Sequence, residues 1–192
     1  MTALHDLSWP RRTERLVLRP PVVADAEAIH AYKSLPEVYR WTAGPPAPLE
    51  EFRAQVEDPD WAGKMLVMER DGEVAGDLYV DVGDAWGQRG ASEPVEGVQA
   101  HIGWSLAPRH HGLGLATEAV GALLDVLVDE LGLRRVVAEC FLANEPSWRL
   151  MERLGMRREA HAVQDSLHAE LGWLDGLTYA LLASEWRSGT SA

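Results

Sequence analysis

The chain has 192 residues, and 18 Lys and Arg against 30 Asp and Glu give a formal net charge of −12 at pH 7. This length suits one compact domain, and a composition of 46% hydrophobic and 25% charged residues is typical of a chain that buries a core. The acidic balance argues against nucleic acid and an anionic membrane surface as partners, since both require clustered Lys and Arg, and favours a cationic partner.

The N-terminal region contains no apolar segment typical of a signal peptide, and no apolar stretch is long enough for a membrane helix. The single cysteine, Cys140, cannot form an internal disulfide and excludes a cysteine-based zinc site. The adjacent His110 and His111 point apart and lack a suitably spaced third ligand, which argues against a metal pair. We therefore expect a cytoplasmic protein that uses no metal.

The N-terminal half is predicted to begin with a strand at residues 16–18 and a helix at 25–34. A short helical piece before Gly44 and a helix from Pro48 follow, and strands at 64–69 and 73–81 form a hairpin. Pro20 and Pro21 end the first strand, because proline cannot donate to a sheet ladder. Asp71-Gly72 between two β-prone runs is a strong hairpin signal.

The C-terminal half is predicted to contain a Gly-rich loop at 83–97, a strand at 100–106, a helix at 116–131, a strand at 135–142, a helix between Asn144 and Gly155, and strands at 156–162 and 177–183. Apolar residues at three- and four-residue spacing make residues 116–131 the clearest helix. This order predicts a mixed α/β (α+β) fold around one central sheet. The hairpin and the terminal strands require antiparallel pairing, which excludes a doubly wound nucleotide fold.

A glycine-rich turn connects the strand at 100–106 to the long helix, with Arg109, Gly112 and Gly114 within it. Glycines let backbone N–H groups approach an anion closely, and the helix dipole favours negative charge there. Such a turn could hold a pyrophosphate without a metal. A Walker A loop is excluded because the lysine is missing, and Thr117 weakens a dinucleotide fingerprint. A purely structural tight turn remains the alternative on the glycines alone.

Arg109-x-x-Gly112-x-Gly114 resembles the acetyl-CoA pyrophosphate loop of the GCN5-related N-acetyltransferase (GNAT) superfamily, and residues 102–118 look like the RimJ/RimL branch of ribosomal-protein N-terminal acetyltransferases. The resemblance continues through Asn144-Glu-Pro-Ser147 and the closing residues 172–186, so it covers essentially the whole chain. It implies a GNAT fold, which is a mostly antiparallel central sheet with a splayed parallel pair, flanked by helices. We expect this fold as a single domain over residues 1–192, with its core at about 13–187.

The resemblance implies transfer of an acetyl group from acetyl-CoA to a primary amine by direct attack, without an acyl-enzyme. The acceptor would be a protein or peptide N-terminus or a small amine, and homodimers occur in this branch. Two alternatives stay open. One is a non-catalytic acyl-CoA-binding or sensor domain, and the other is an enzyme that uses a longer acyl-CoA.

The resemblance also assigns residues to the cosubstrate. The backbone around the turn would bind the pyrophosphate, and Arg109 would add positive charge. The strand before the turn would lie along the pantetheine arm, and its backbone amides would polarise the thioester carbonyl. Asn144 would hydrogen-bond the pantetheine or cap its helix. The residues concerned are Trp104, Ser105, Leu106, Arg109, His111, Gly112, Leu113, Gly114, Leu115, Ala116 and Asn144.

Ser147 matches the hydroxyl that family members place near the sulfur as a general acid, although a first-turn serine can also simply satisfy backbone amides. His101 stands where the branch often has Glu. A histidine titrates near about pH 6.5 and can accept an ammonium proton directly or through water, which makes His101 the candidate general base. A half-buried strand histidine bonded to a neighbour is the structural alternative. Asp77, His161 or a chain of waters could serve as the base instead.

Overall fold

A computed structural model describes residues 4–189 and divides them into two compact units. The first unit consists of residues 4–79 and 104–122, and the second of residues 80–103 and 123–189. The single domain predicted for residues 1–192 stays a prediction. Each unit has its own secondary structure, which is described separately below.

The first unit contains several short helices and an antiparallel sheet whose strands lie in chain order. Its elements in chain order are β1 (Arg11–Arg12), β2 (Val17–Arg19), α1 (Ala26–Lys33), α2 (Pro36–Tyr39), α3 (Leu49–Glu57), α4 (Pro59–Ala62), β3 (Met65–Arg70) and β4 (Glu73–Gly83), of which β4 enters the second unit at residue 80. The predicted hairpin is confirmed: Asp71 and Gly72 both adopt positive φ, 53° and 83°, as a tight two-residue turn requires.

Helix α1 packs against the sheet of the first unit through a buried carboxylate. Asp77 on β4 is only 3% exposed. It accepts a hydrogen bond from the Tyr32 hydroxyl. It also forms an ion pair with Lys33, whose Nζ lies 2.8 Å from Asp77 Oδ2. Ile29 on the same helix and Phe52 on α3 belong to the surrounding apolar core. Because a buried charge is tolerated only when it is paired and hydrogen-bonded, these contacts fix α1 on β4.

The second unit contains a mixed sheet of strand order β5-β6-β8-β7. Its elements are β5 (Gln99–Leu106), α5 (Leu115–Asp125), β6 (Arg135–Phe141), α6 (Glu145–Arg153), β7 (Arg157–His168), β8 (Gly172–Leu182) and α7 (Ala183–Gly189), and β5 and α5 have residues in both units. β5 and β6 run parallel, and the other pairs are antiparallel. The parallel register joins Gln99, Ala100 and His101 to the first residues of β6. The predicted mixed α/β class, mostly antiparallel with one parallel pair, is confirmed.

The largest difference from the predicted elements lies in the last two strands. They extend over Arg157–His168 and Gly172–Leu182 and form a long hairpin, whereas the sequence pattern predicts only residues 156–162 and 177–183. Most β7 side chains are exposed, and a bulge near Gln164, with φ of 50°, interrupts the alternation that identifies a strand. None of the helices within residues 4–189 combines the length and apolarity that a bilayer crossing requires.

Candidate functional site

The glycine turn of the first unit begins where β5 ends. The Ala107 N–H donates to the Ala75 carbonyl at 2.9 Å, which ties the end of β5 to β4. Gly112 and Gly114 have φ of 73° and 77°, in the left-handed region that favours glycine. The prediction of a glycine-dependent turn is therefore confirmed by the backbone conformation.

The turn leads directly into the N-terminus of α5. Leu115 is 1% exposed and anchors the first turn of this helix. The Glu118 N–H donates to the Gly114 carbonyl at 3.1 Å. The N–H groups in the first turn of any helix have no intrahelical partner, and the helix dipole places partial positive charge at the N-terminus. Glycine backbone beside a helix N-terminus is chemically suited to a phosphate group.

The side chains of Arg109 and His111 are exposed, and each contacts a backbone carbonyl. Arg109 Nη2 donates to the Val74 carbonyl at 3.1 Å and lies 3.5 Å from Glu73 Oε2. His111 Nε2 lies 3.1 Å from the Leu106 carbonyl, so it bonds the turn to the end of β5. The role of Arg109 beside phosphate stays a prediction.

Trp104, Ser105 and Leu106 form the part of β5 that lies in the first unit. Trp104 and Ser105 are half-buried, and Leu106 is buried. Gly76 on β4 approaches this segment so closely that a Cβ built on it would lie 2.3 Å from the Ser105 carbonyl oxygen. The strand predicted to lie along the pantetheine arm is therefore held by backbone packing within the first unit.

Sequence patterns gave no indication of a role for Arg15. Its Nη1 donates to the Leu113 carbonyl at 2.8 Å, and its Nε donates to Glu118 Oε2 at 2.7 Å. The Thr13 hydroxyl donates to the same carboxylate. Partial burial raises the pKa of Glu118, but the hydrogen bonds from Thr13 and Arg15 outweigh burial and lower it below its usual range. We call Thr13, Arg15 and Glu118 the turn clamp.

In the second unit, Ser147 lies in the first turn of α6. Its N–H donates to the Asn144 carbonyl at 3.1 Å, and its side chain is hydrogen-bonded to Cys140 on β6. Burial raises the pKa of the Cys140 thiol to about 11, against the opposing effect of Ser147. Asn144 is the N-cap of α6, but its side chain makes no capping hydrogen bond. The capping alternative for Asn144 is therefore not supported, and Ser147 is hydrogen-bonded to a thiol.

The histidines considered as general bases lie on different strands of the second unit. His101 is exposed on β5 and pairs in register with Val137 of β6. His161 Nε2 lies 2.6 Å from Asp175 Oδ2 on the β7–β8 hairpin. The hydrogen bond from His161 lowers the pKa of the Asp175 carboxyl group. The backbone of Asp175 is also fixed, because its carbonyl accepts a hydrogen bond from the Leu142 N–H at 2.8 Å. Of the two histidines, His161 is thus oriented by a carboxylate, and His101 is open to solvent.

Metal ligation finds no support in the part of the chain that the structure describes. There, no group of three or more His, Cys, Asp and Glu side chains could hold a metal ion.

Comparison with known proteins gives a match to the family described as "Acetyltransferase (GNAT) domain" over residues 15–157. The chain is 29% identical to the uncharacterized N-acetyltransferase p20 of Bacillus licheniformis over 183 residues, which cover 91% of this chain and 96% of that protein. It is 38% identical to the uncharacterized N-acetyltransferase YnaD of Bacillus subtilis over 85 residues, 44% of this chain. The chain spans about half the length of YnaD, 49%.

Two further similarities involve proteins with named acceptors. The [ribosomal protein uS5]-alanine N-acetyltransferase of Escherichia coli is 29% identical over 89 residues, which cover 46% of this chain and 45% of that protein. The spermidine N-acetyltransferase of Vibrio cholerae, in complex with CoA and spermine, has a TM-score of 0.75 at 17% identity, covering 91% of this chain and 99% of that one. An acetyltransferase of the GNAT family from Bacillus anthracis has a TM-score of 0.78 at 28% identity, with 92% and 100% covered.

Proposed function

Since this chain belongs to the acetyltransferase (GNAT) family, we propose that it transfers an acetyl group from acetyl-CoA to a primary amine by direct attack. One observation carries the proposal: the turn with positive φ at Gly112 and Gly114 opens directly into the N-terminus of α5. This arrangement fits a diphosphate, because backbone N–H groups and the helix dipole both favour negative charge there.

The first unit supplies the residues for the donor. The backbone from His111 to Ala116 binds the pyrophosphate, and the backbone amides near Trp104 and Ser105 polarise the thioester carbonyl. Gly112 supports this role because a Cβ built on it would meet nothing within 4 Å, so its backbone is open to a ligand. Acetyl-CoA supplies an activated acetyl group, whose thioester the amine attacks.

We assign the proton transfers to His101 and Ser147. His101 accepts the proton of the ammonium group, the amine nitrogen bonds to the carbonyl carbon, and the carbon–sulfur bond breaks. Ser147 then donates its hydroxyl proton to the departing thiolate and takes up the second proton that the nitrogen loses as the amide forms, so its hydroxyl is restored. A covalent route through Cys140 is disfavoured, because a thiol whose burial raises its pKa to about 11 is almost entirely protonated at neutral pH.

The acceptor belongs to the cationic amines, either a protein N-terminus or a small polyamine. The net charge of −12 favours such a partner. The names of the similar proteins include both kinds, a ribosomal-protein alanine N-terminus and spermidine. A cytoplasmic location and a homodimer remain predictions beside this one.

The deciding experiment measures thiol release from acetyl-CoA with a panel of amines: peptides with a free N-terminal alanine, spermidine and single amino acids. Release with one class identifies the acceptor. Binding of acetyl-CoA without release for any amine would support the sensor alternative and contradict the enzyme. Higher activity with propionyl- or butyryl-CoA than with acetyl-CoA would support the longer acyl donor.

The glycine turn itself is tested with Gly114→Val, compared with Gly44→Val in the same unit. Both glycines have positive φ, 77° and 114°, so both substitutions strain the backbone. We expect only the Gly114 variant to weaken CoA binding beyond its effect on stability. Equal CoA affinity of the two variants would contradict the role of the turn.

A further inference from the structure

The turn clamp joins two segments of the first unit that are far apart in sequence. Arg15 and Glu118 are separated by 103 residues, and Arg15 and Leu113 by 98. The Arg15 backbone N–H also donates to Glu118, at 2.8 Å to Oε1. The carboxylate of Glu118 therefore receives both side-chain and backbone hydrogen bonds from residues 13–15, which precede β2. The connection between β1 and β2 thereby holds the helix that follows the turn.

The clamp is built around a carboxylate that is mostly shielded from water. The Glu118 side chain is 15% exposed, against 40% for Arg15. Arg15 uses different nitrogens for its two partners, Nε for Glu118 and Nη1 for the Leu113 carbonyl. The two contacts use two nitrogens of one planar guanidinium, an arrangement that the single nitrogen of lysine does not reproduce. The contact geometry therefore depends on Arg15 itself and not only on its charge.

The hydrogen bond from Arg15 to the Leu113 carbonyl determines the direction of the Gly114 N–H. In a planar trans peptide the C=O and the following N–H point in opposite directions. Because the Leu113 carbonyl points to Arg15 at 2.8 Å, the Gly114 N–H points away from the clamp. Arg15 also lies close to the glycine itself, since a Cβ on Gly114 would lie 3.6 Å from Arg15 Nη2. A free glycine peptide would rotate easily, so this contact limits a rotation that would redirect the N–H.

We propose that Arg15 and Glu118 are positioning residues for the acetyl-CoA pyrophosphate: they hold the Leu113–Gly114 peptide and the first turn of α5 in the orientation that binds the diphosphate. This inference rests on the proposed function, because it assumes that the turn binds acetyl-CoA. Arg15 acts through the backbone of the turn and need not touch the cosubstrate.

The test compares three ligands that differ in their phosphates. For Arg15→Ala we expect the dissociation constant for CoA to rise about tenfold, as expected for a lost charged hydrogen bond. The rise for 3′-dephospho-CoA, which keeps the pyrophosphate, should be the same. Turnover of S-acetyl-pantetheine, which lacks the pyrophosphate, should stay within about twofold of wild type. Glu118→Gln, which keeps the side-chain shape, should show the same pattern.

Arg12→Ala is the matched control, because it removes the same charge from an exposed residue on neighbouring β1. It should leave the dissociation constants for CoA and 3′-dephospho-CoA and the turnover of S-acetyl-pantetheine unchanged. Arg15→Lys should restore little of the CoA affinity. Full rescue by lysine would overturn the proposal in favour of charge alone, and a loss confined to CoA but absent with dephospho-CoA would overturn it in favour of contact with the 3′-phosphate.

Two further outcomes separate this proposal from the proposed function. An equal loss with S-acetyl-pantetheine would show a general structural defect, and unchanged CoA binding in both clamp variants would show that the turn needs no clamp. Either result overturns the positioning role while the wild-type protein still binds CoA. If the wild-type protein binds neither CoA nor acetyl-CoA, the proposed function fails, and the clamp has no cosubstrate to position.

Discussion

Ser147 and Cys140 share a hydrogen bond, so the reactivity of the thiol reports on the environment of the proposed acid. The thiol pKa of about 11 means that reaction with a disulfide reagent such as DTNB should rise about tenfold per pH unit between about pH 7 and about pH 9, without a plateau. Because Cys140 is the single cysteine, the measurement needs no other variant. Glutathione in the same buffers is the control. A plateau below pH 9 would contradict a raised pKa.

Replacing Ser147 with alanine removes the proposed proton donor to the thiolate. We expect Ser147→Ala to lower kcat by about ten- to a hundredfold with little change in the dissociation constant of acetyl-CoA. Steady-state kinetics with the best acceptor and direct binding measurements separate the two effects. Ser8→Ala, at an exposed serine, is the control. Equal losses in kcat and in affinity would contradict the role of Ser147 as an acid.

His101 and His161 are distinguished by the pH dependence of their variants. If His101 is the base, kcat/KM of the wild type falls on the acidic side, because the protonated imidazole cannot accept a proton. We expect His101→Ala to lose this acidic limb and His161→Ala to keep it. The reverse result would assign the base to the His161–Asp175 pair. An unchanged limb in both variants would assign it to another group, such as a chain of waters.

At the residue scale, the sequence could predict the turn but not the clamp that holds it. Gly112 and Gly114 carry a local signal, because their positive φ is set within the turn itself. The contact of Arg15 with Leu113 depends on chain folding over 98 residues, and no spacing rule connects such positions. The hydrogen bond from Arg109 to the Val74 carbonyl also joins residues that are distant in sequence, and no local pattern indicates it.

At the scale of elements, Gly76 is where β4 meets the end of β5. A Cβ there would lie 2.3 Å from the Ser105 carbonyl and 2.8 Å from the Met68 side chain. We expect Gly76→Ala to lower the free energy of unfolding by about 1–3 kcal/mol through overpacking. Gly83→Ala on the same strand is the control, since its Cβ would meet nothing within 4 Å. Urea unfolding of both variants measures the difference, and equal stability would contradict the tight approach.

Elements with a strong local pattern were predicted to within a few residues. Helix α1 spans Ala26–Lys33 against a predicted 25–34, and α6 spans Glu145–Arg153 after the predicted start at Asn144. The long helix differs, because α5 ends at Asp125 and continues as a π-helical turn at Val126–Glu130. Apolar spacing does not distinguish these two hydrogen-bond patterns. β1 has two residues, and a pair so short has no periodicity to detect.

At the scale of the whole molecule, acid should destabilise the fold through its carboxylates. Hydrogen bonds from Arg19 and from the Val22 N–H lower the pKa of Asp25 despite the opposing effect of burial, and the pKa values of Glu118 and Asp175 are lowered as well. A depressed folded-state pKa contributes stability that is present above the unfolded pKa of about 4 and is lost as pH falls through the folded value.

We therefore expect the free energy of unfolding to be nearly constant between about pH 7 and about pH 8 and to fall most steeply below about pH 5. Urea unfolding across this range measures it. Asp25→Asn should flatten the acid dependence, because it removes one of the contributing groups, whereas Asp60→Asn, at an exposed residue, should not. Stability that increased on acidification to about pH 4 would contradict this linkage.

The position of β8 in the sheet has a consequence for how the chain is made. β8 lies between β6 and β7, and its residues from Gly176 to Leu182 pair with the whole of β6. While a ribosome synthesises α6 and β7, this long edge of β6 stays open, since its partner does not yet exist. A nascent chain paused before Gly172 thus presents open strand edges, which are the surfaces that chaperones protect and that promote aggregation.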